Sequence, residues 1–330
     1  MSDVGTVVRE AFGGGASVEG LVRLSGGASR ETWALDVVTA DGVRHPLVFR
    51  SGAAGLAAEA RLMRAAREAG VPVPGVVAAA DSYVLMERVE GETIPRRILR
   101  DEAVRPLLAG QCGEALAAIH RMPLSALPQA TDTRDADAGT PAADVQMAGP
   151  RGVGDADGDP LAVWREALDA AGEPHPVFEL ALRRLAATRP ESTRRTVVHG
   201  DFRNGNLVVG PRGVEAVLDW ELAHAGDPLE DLGWLCVKAW RFGSPLPVGG
   251  FGTYDDLLSS YEKASGHPVD REALRWWETF GVLKWGVICV VQARRHLSGE
   301  ARSVELAAIG RRVCENEWDL LAMLEENPLR

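Results

Sequence analysis

The chain has 330 residues, 46% of them hydrophobic, and a formal net charge of −11 at pH 7. That length exceeds what one compact core usually absorbs, so two lobes are expected, and the acidic balance disfavours a nucleic-acid partner, whose phosphates call for a basic surface. No apolar run approaches the roughly 20 residues needed to cross a bilayer, the first residues carry no secretory signal pattern, and Cys112, Cys236, Cys289 and Cys314 form no CxxC pair.

These features predict a cytoplasmic protein without a membrane partner, monomeric or homodimeric. Positive charge is supplied unevenly. Lys238, Lys263 and Lys284 are the only lysines, and every other basic side chain is arginine. Any cationic role in the first half must therefore fall to arginine.

In chain order, VEGLVRLS (18–25), RETWALDVV (30–38) and RHPLVFR (44–50) mix β-branched and apolar residues and are separated by glycine-rich or polar turns, which predicts strands. The run Gly13-Gly14-Gly15 is expected to be a plain loop. Residues 54–69 have the composition and spacing of an amphipathic helix, ended by VPVPG (71–75). Residues 76–94 predict two further strands closing in a turn at Gly91, and 101–120 a helix.

Residues 128–160 are poor in large apolar side chains and rich in Ala, Asp, Gly and Pro, the composition of a flexible insertion. Their DADGD (155–159) begins like a calcium loop, but Gly158 comes too early and no glutamate closes it. Helices resume at Leu161. Short strands are expected at 196–200, 206–210 and 214–220, and Pro228 to Leu324 is mostly helical.

The chemistry concentrates in VVHGDFRNGNLVVG and the following VEAVLDWELAHAGDPLEDLGW. Phosphoryl transfer needs a carboxylate to orient the attacking hydroxyl and take its proton, and Mg²⁺ to offset charge on the phosphate oxygens. Mg²⁺ takes hard oxygen ligands. Asp201 and Asn206 on one loop supply a base and an amide ligand. Asp219, at the end of the next strand, supplies a second carboxylate to the same metal.

HGDFRNGN resembles the catalytic loop of the aminoglycoside phosphotransferase and choline kinase superfamily, itself similar to the HRDxxxxN loop of protein kinases. LDWE resembles that family's metal-binding segment, and GDPLEDLGW (226–234) its GDPxxDLA segment. The resemblance implies an α+β, bilobal protein-kinase-like fold: a β-rich nucleotide-binding lobe over 1–90 and a mainly helical catalytic and acceptor-binding lobe over 91–330. It implies ATP and Mg²⁺ as cofactors and a small-molecule alcohol as acceptor. Asp201 becomes the base, Asn206 and Asp219 the metal ligands, and His199 a structural brace. Arg203 joins Asp201 in the catalytic set and suits a phosphate or another anionic group. Asp227 and Asp231 are implied to anchor the loop.

In the N-terminal lobe, LSGGASRETWAL resembles the glycine-rich hairpin, in which Ser25, Gly26, Gly27 and Ser29 bring backbone N–H groups to phosphate. VFR (48–50) stands where the family has its phosphate-binding lysine, so Arg50 replaces that lysine, with Glu59 as its partner on the following helix. YVLMERVEG (83–91) resembles the hinge, with adenine held by backbone groups around Glu87 and Val89. Residues 159–190 resemble a bacterial subgroup related to the kinase-like domain fused to acyl-CoA dehydrogenases. Trp276, Trp277, Phe280 and Trp285, with Arg294 and Arg295, are candidates for an acceptor wall, against the plainer reading that the aromatics are core. His120 is expected to be a packing histidine.

Two alternatives stay open at this stage. One is a catalytically weak nucleotide-binding or sensor protein, suggested by Arg50. The other is a metal-dependent hydrolase, which needs further histidine ligands that the chain does not offer at close spacing.

Overall fold

The computed structural model describes residues 4–24, 31–52, 55–128, 159–191 and 194–326. Helix α1 (Val4–Phe12) leads into strands β1 (Ser17–Leu24), β2 (Glu31–Val38) and β3 (Arg44–Ser51), then helix α2 (Leu56–Glu68) and strands β4 (Val76–Ala80) and β5 (Tyr83–Glu87). The strands form one antiparallel sheet in the order β1-β2-β3-β5-β4.

Alternation along β3 divides its side chains between two faces. Leu47 and Phe49 enter a core with Val7 and Val8 of α1, Leu35, Val37 and Leu85. Arg50 therefore faces the opposite way, toward α2. Helix α2 seats Leu56 and Ala60 against Val84 of the sheet and turns Leu62, Met63 and Ala66 into the main core below.

The remainder is helix-dominated. A short α3 (Pro95–Ile98) and α4 (Arg105–Ile119) precede α5 (Pro160–Ala171) and α6 (Pro176–Ala187). Strand β6 (Thr196–Val198) pairs with β9 (His224–Gly226), and β7 (Leu207–Gly210) pairs with β8 (Gly213–Val217). Helices α7 (Leu229–Cys236), α8 (Tyr254–Ser265), α9 (Arg271–Leu297), α10 (Val304–Gly310) and α11 (Val313–Glu326) follow. Glu92 makes an antiparallel bridge with Val209, so the segment after β5 is tied to β7.

The expected elements recur with some differences, among them the unanticipated short α3 and a β6 that ends at Val198. Helix α1 was not anticipated. Neither was β9, whose three residues carry no β-branched side chain and pair only because β6 lies alongside. The strand expected to run to 220 stops at Val217, because Asp219 takes a left-handed backbone (φ 68°) and a 3-10 turn begins at Trp220. Gly13-Gly14-Gly15 is the loop expected. The EF-hand-like DADGD lies largely outside the described residues, as do residues 129–158 of the expected insertion.

Candidate active site

Strand β6 delivers the chain into a loop clamped by one buried carboxylate. Asp231 of α7 accepts the His199 N–H through Oδ2 at 2.8 Å and the Gly200 N–H through Oδ1 at 2.9 Å. His120 Nε2 also donates to Oδ2 (3.2 Å), while His120 Nδ1 pairs with the Tyr261 hydroxyl (2.9 Å). Burial alone would raise the Asp231 pKa, but His120 and then His199 outweigh it and hold it below the ordinary carboxylate value. Gly200 has φ 81°, and a Cβ there would sit 2.4 Å from the Leu222 carbonyl oxygen, so only glycine fits.

His199 is the brace expected of it. Its Nδ1 accepts the Asp201 N–H (3.2 Å) and its Nε2 donates to the Leu218 carbonyl (3.1 Å), a tautomer assigned from these partners. Burial lowers its pKa against the pull of the neighbouring carboxylates, so the ring is neutral and structural. It lies against Trp220 and Phe202, with ring centroids 4.8 and 5.8 Å away.

The Asp201 carboxylate is buried and receives several donors. Arg203 Nε reaches Oδ1 and Oδ2 at 3.0 and 3.2 Å, Asn206 Nδ2 reaches Oδ2 at 2.6 Å, and Trp234 Nε1 reaches Oδ1 at 2.8 Å. The Arg203 guanidinium also stacks 4.7 Å above the Trp240 ring. Because Asn206 Nδ2 points to Asp201, its remaining side-chain polar atom is the amide oxygen, a hard ligand. The Leu218 N–H bonds the Asn206 carbonyl at 2.8 Å, which ties Asn206 to the segment carrying Asp219.

Arg50 joins the sheet to this loop. One nitrogen donates to Glu59 Oε1 (2.7 Å) and another to Asp219 Oδ1 (3.3 Å). Burial pulls its pKa down, but Glu59 and Asp219 outweigh that and raise it, so the guanidinium stays charged. Lysine at this position keeps the charge but cannot bridge both carboxylates as a planar fork. On the role that the family resemblance implies for Arg50, Arg50→Lys is expected to retain turnover within about tenfold (about 1.4 kcal/mol) and to raise KM for the nucleotide more than it lowers kcat. Steady-state kinetics check this, and complete loss of activity would show that the fork itself is required.

Residues 20–277 match the phosphotransferase enzyme family (APH). The chain belongs to that family. Mouse acyl-CoA dehydrogenase family member 10 is 30% identical over 161 residues, which is 44% of this chain but 15% of the mouse protein. Chicken acyl-CoA dehydrogenase family member 11 is 27% identical over 157 residues, 43% of this chain and 20% of the relative. The chain thus spans a fifth or less of these relatives' length.

Among solved structures, a Ralstonia eutropha JMP134 protein provisionally described as an aminoglycoside phosphotransferase has a TM-score of 0.73 at 21% identity, covering 98% of this chain and 97% of that one. A Mesorhizobium loti choline/ethanolamine kinase family protein has 0.60 at 18%, covering 93% and 88%. Aminoglycoside phosphotransferase APH(4)-Ia, in a complex with AMP-PNP and hygromycin B, has 0.57 at 20%, covering 98% of each chain. The fold is kinase-like, with the β-rich N-terminal and helical C-terminal regions expected.

In this member of the family, Asp201, Arg203, Asn206, Asp219, Arg50 and Glu59 form one connected set. Ser25, Gly26, Gly27 and Ser29 lie outside the described residues. Glu87 ends β5; its N–H donates to the Gly75 carbonyl (2.8 Å) and its carboxylate accepts from Arg67 (3.1 Å) and the Gly75 N–H (2.9 Å), which hold its pKa down. Val89 follows in the segment leading to the Glu92 bridge.

Asp227, two residues before α7, accepts the Leu229 N–H, while it is Asp231 that accepts the loop's His199 and Gly200 N–H groups. Trp276, Trp277, Phe280 and Trp285 are buried in a helical core, and Arg294 and Arg295 pair with Glu173 and Glu300. Trp285 of that set approaches the loop through Trp240, with ring centroids 4.8 Å apart and planes tilted by 57°, and Trp240 lies beneath Arg203. Among the described residues no group of three or more His, Cys, Asp and Glu converges as a metal site.

Reasoning from motifs missed Trp234, Glu230 and Lys284. A tryptophan and a lysine far along the chain carry no loop signature. Lys284, the one buried lysine, pairs with Glu230 (3.2 Å), which also accepts from His224 (3.1 Å). Burial would raise the Glu230 pKa, but His224 and Lys284 outweigh it and bring it to about 2, from an ordinary 4.5. Burial would lower the His224 pKa, but Glu230 outweighs it and raises it.

Both shifts define a pH window. Glu230 contributes stability that is complete above about 4.5 and lost as pH falls toward about 2, on the order of 3 kcal/mol. His224 contributes stability present below about 6.5 and lost as pH rises through its higher folded value. Thermal midpoints across pH are expected to fall on both flanks, and Glu230→Gln to flatten the acid flank. An unchanged acid flank in that variant would contradict the assignment.

Proposed function

We propose that the protein is an ATP-dependent phosphotransferase that moves the γ-phosphate to a hydroxyl of a small molecule. The observation that carries this reading is the joining of Asp201, Asn206 and Asp219 through the Asn206–Asp201 and Leu218–Asn206 hydrogen bonds, with a fixed cation, Arg50, on the sheet side.

In this reading the acceptor hydroxyl donates to Asp201, which fixes the oxygen for in-line attack and takes the proton as the new O–P bond forms and the bond from the γ-phosphorus to the bridging oxygen breaks, ADP leaving with that oxygen. Arg203 neutralises that carboxylate in the free protein and lies where a γ-phosphate oxygen could share it. Arg50, held by Glu59, faces the phosphates, and backbone groups around Glu87 and Val89 hold adenine. The donor set of one amide oxygen and one carboxylate fits Mg²⁺, which prefers few protein oxygens plus phosphates and water. Asn206 and Asp219 would hold it, and when bound it offsets charge on the β- and γ-phosphate oxygens. Asp219 suits this role because its side chain is 35% exposed and still reachable.

Residues 1–90 act as the nucleotide lobe and 91–330 as the catalytic and acceptor lobe. Among the described residues no helix is long and apolar enough to cross a membrane; we place the protein in the cytoplasm. The likeness to acyl-CoA dehydrogenase family members favours a metabolic alcohol such as a hydroxyacyl thioester over an antibiotic. The test is ATP consumption against a panel of aminoglycosides, choline-like amines, sugars and hydroxyacyl-CoAs. Acceptor-dependent turnover supports the reading. ATP binding with no turnover on any class would favour the weak nucleotide-binding alternative, for which the Arg50–Asp219 contact is the one supporting feature.

A further inference from the structure

Beyond the groups that would meet substrate, one buried cation supports Asp201 by two routes. Lys284 of α9 donates from Nζ to the Gly200 carbonyl at 3.1 Å, the residue immediately before Asp201. The same ammonium sits 4.6 Å from the Trp234 ring centroid, and Trp234 Nε1 is the donor to Asp201 Oδ1. Glu230 at 3.2 Å balances its charge, and Trp164 lies on a further side at 6.0 Å.

The reach depends on close packing of α7 on α9. A Cβ on Gly233 would lie 2.7 Å from the Glu278 nitrogen, and one on Gly281 2.6 Å from Val237 Cγ2. Both glycines let the helices approach until Lys284 spans from α9 to the loop. Packing alone does not call for an ion pair here, because an apolar residue of similar volume commonly does as well or better in a core. Arginine, this chain's usual cation, has a planar fork that cannot aim at a carbonyl, a carboxylate and a ring face together as an ammonium can. A cation over an indole face also makes its N–H a stronger donor, in line with cooperative polarisation of hydrogen bonds.

We propose that Lys284 is a positioning residue for Asp201, acting through the Gly200 carbonyl and the Trp234 indole. The proposal rests on Asp201 being the base. It assigns Lys284 no contact with nucleotide, metal or acceptor.

The test compares Lys284→Met, Trp234→Phe and Asp201→Asn with the wild type. ATP turnover with the most active alcohol of the panel gives kcat and KM, and titration with Mg·AMP-PNP gives nucleotide affinity. Lys284→Met and Trp234→Phe are each expected to lower kcat at least tenfold while KM for ATP and the AMP-PNP Kd stay within about twofold. The double variant is expected to lose less than the product of the two, since both act on one carboxylate. A role in folding alone would leave kcat of the folded fraction unchanged. If Lys284→Met does not fold, Trp234→Phe and the charge-matched Lys284→Met with Glu230→Gln decide the matter. Values of kcat within threefold of wild type in the folded variants, with Asp201→Asn inactive, overturn the role of Lys284 and leave the base intact. Wild-type turnover in Asp201→Asn overturns the base itself.

Discussion

Asp201→Asn is expected to lower phosphoryl transfer by roughly 10²- to 10⁴-fold, the range typical of a lost general base. The substitution keeps size and shape but removes the proton acceptor. It also disturbs what surrounds it. Arg203 Nε, Asn206 Nδ2 and Trp234 Nε1 all donate to the carboxylate. An amide offers one oxygen to those donors, and its NH2 group faces at least one of them. Stability should therefore fall by about 1–3 kcal/mol, the cost of an orphaned buried donor. Acceptor-dependent turnover, Mg·AMP-PNP binding and a thermal scan separate the effects. Transfer within tenfold of wild type would remove Asp201 from the chemistry.

Asp231→Asn should instead act chiefly on the fold. Its carboxylate lies fully buried and accepts from the His199 and Gly200 N–H groups and from His120 Nε2. Asparagine turns one acceptor into a donor that confronts another donor and removes the charge that His120 and the loop are built around. Breaking a buried charged network of this kind costs about 3–5 kcal/mol, which for a chain of this size lowers the melting midpoint by roughly 4–7 °C. Denaturant titration measures the loss. Hydrogen exchange at the His199 and Gly200 amides locates it, because they use different oxygens of Asp231 and one of them loses its acceptor. An unchanged midpoint with normal exchange would mean that the loop is held elsewhere. The two aspartates thus separate by readout: the Asp201 change falls mainly on turnover, the Asp231 change on stability and turnover together.

The catalytic loop was legible because its chemistry is local. Asp201, Arg203 and Asn206 stand on one short turn, and the bond from Asn206 to Asp201 spans five residues. The pairing of Arg50 with Glu59 was legible for a similar reason. A strand's alternation fixes which face Arg50 takes, and the first turn of the next helix lies on that face. For the aromatic residues of α9 the plainer core reading holds over the acceptor wall. Size and polarity of a tryptophan do not tell whether it lines a cleft or fills a core, and here Trp276, Trp277 and Phe280 fill a core.

Apart from Asp231 and His199, which the family resemblance implied, what sets Asp201 in place was not legible. Trp234 is 33 residues from it, Lys284 is 84 from Gly200, and Asp231 is 111 from His120. Each contact depends on helices α4, α7 and α9 converging behind the loop, and a glycine or a tryptophan in a helical stretch does not announce its partner.

Local order, then, came from short-range rules that act on neighbouring residues: alternation in strands, helical spacing, and a loop whose ligands share one turn. Together with the resemblance of HGDFRNGN and LDWE to the phosphotransferase family, they implied the fold and singled out Asp201, Asn206 and Asp219 as candidates. Burial decided the rest. Once α7 and α9 pack at glycine-to-backbone distance, solvent is excluded around Lys284, Glu230, Asp231 and His199. Each polar group there must find its partner within the protein because water is no longer available. Only the three-dimensional packing could choose those partners, since they lie tens of residues apart along the chain and within about 3 Å in space.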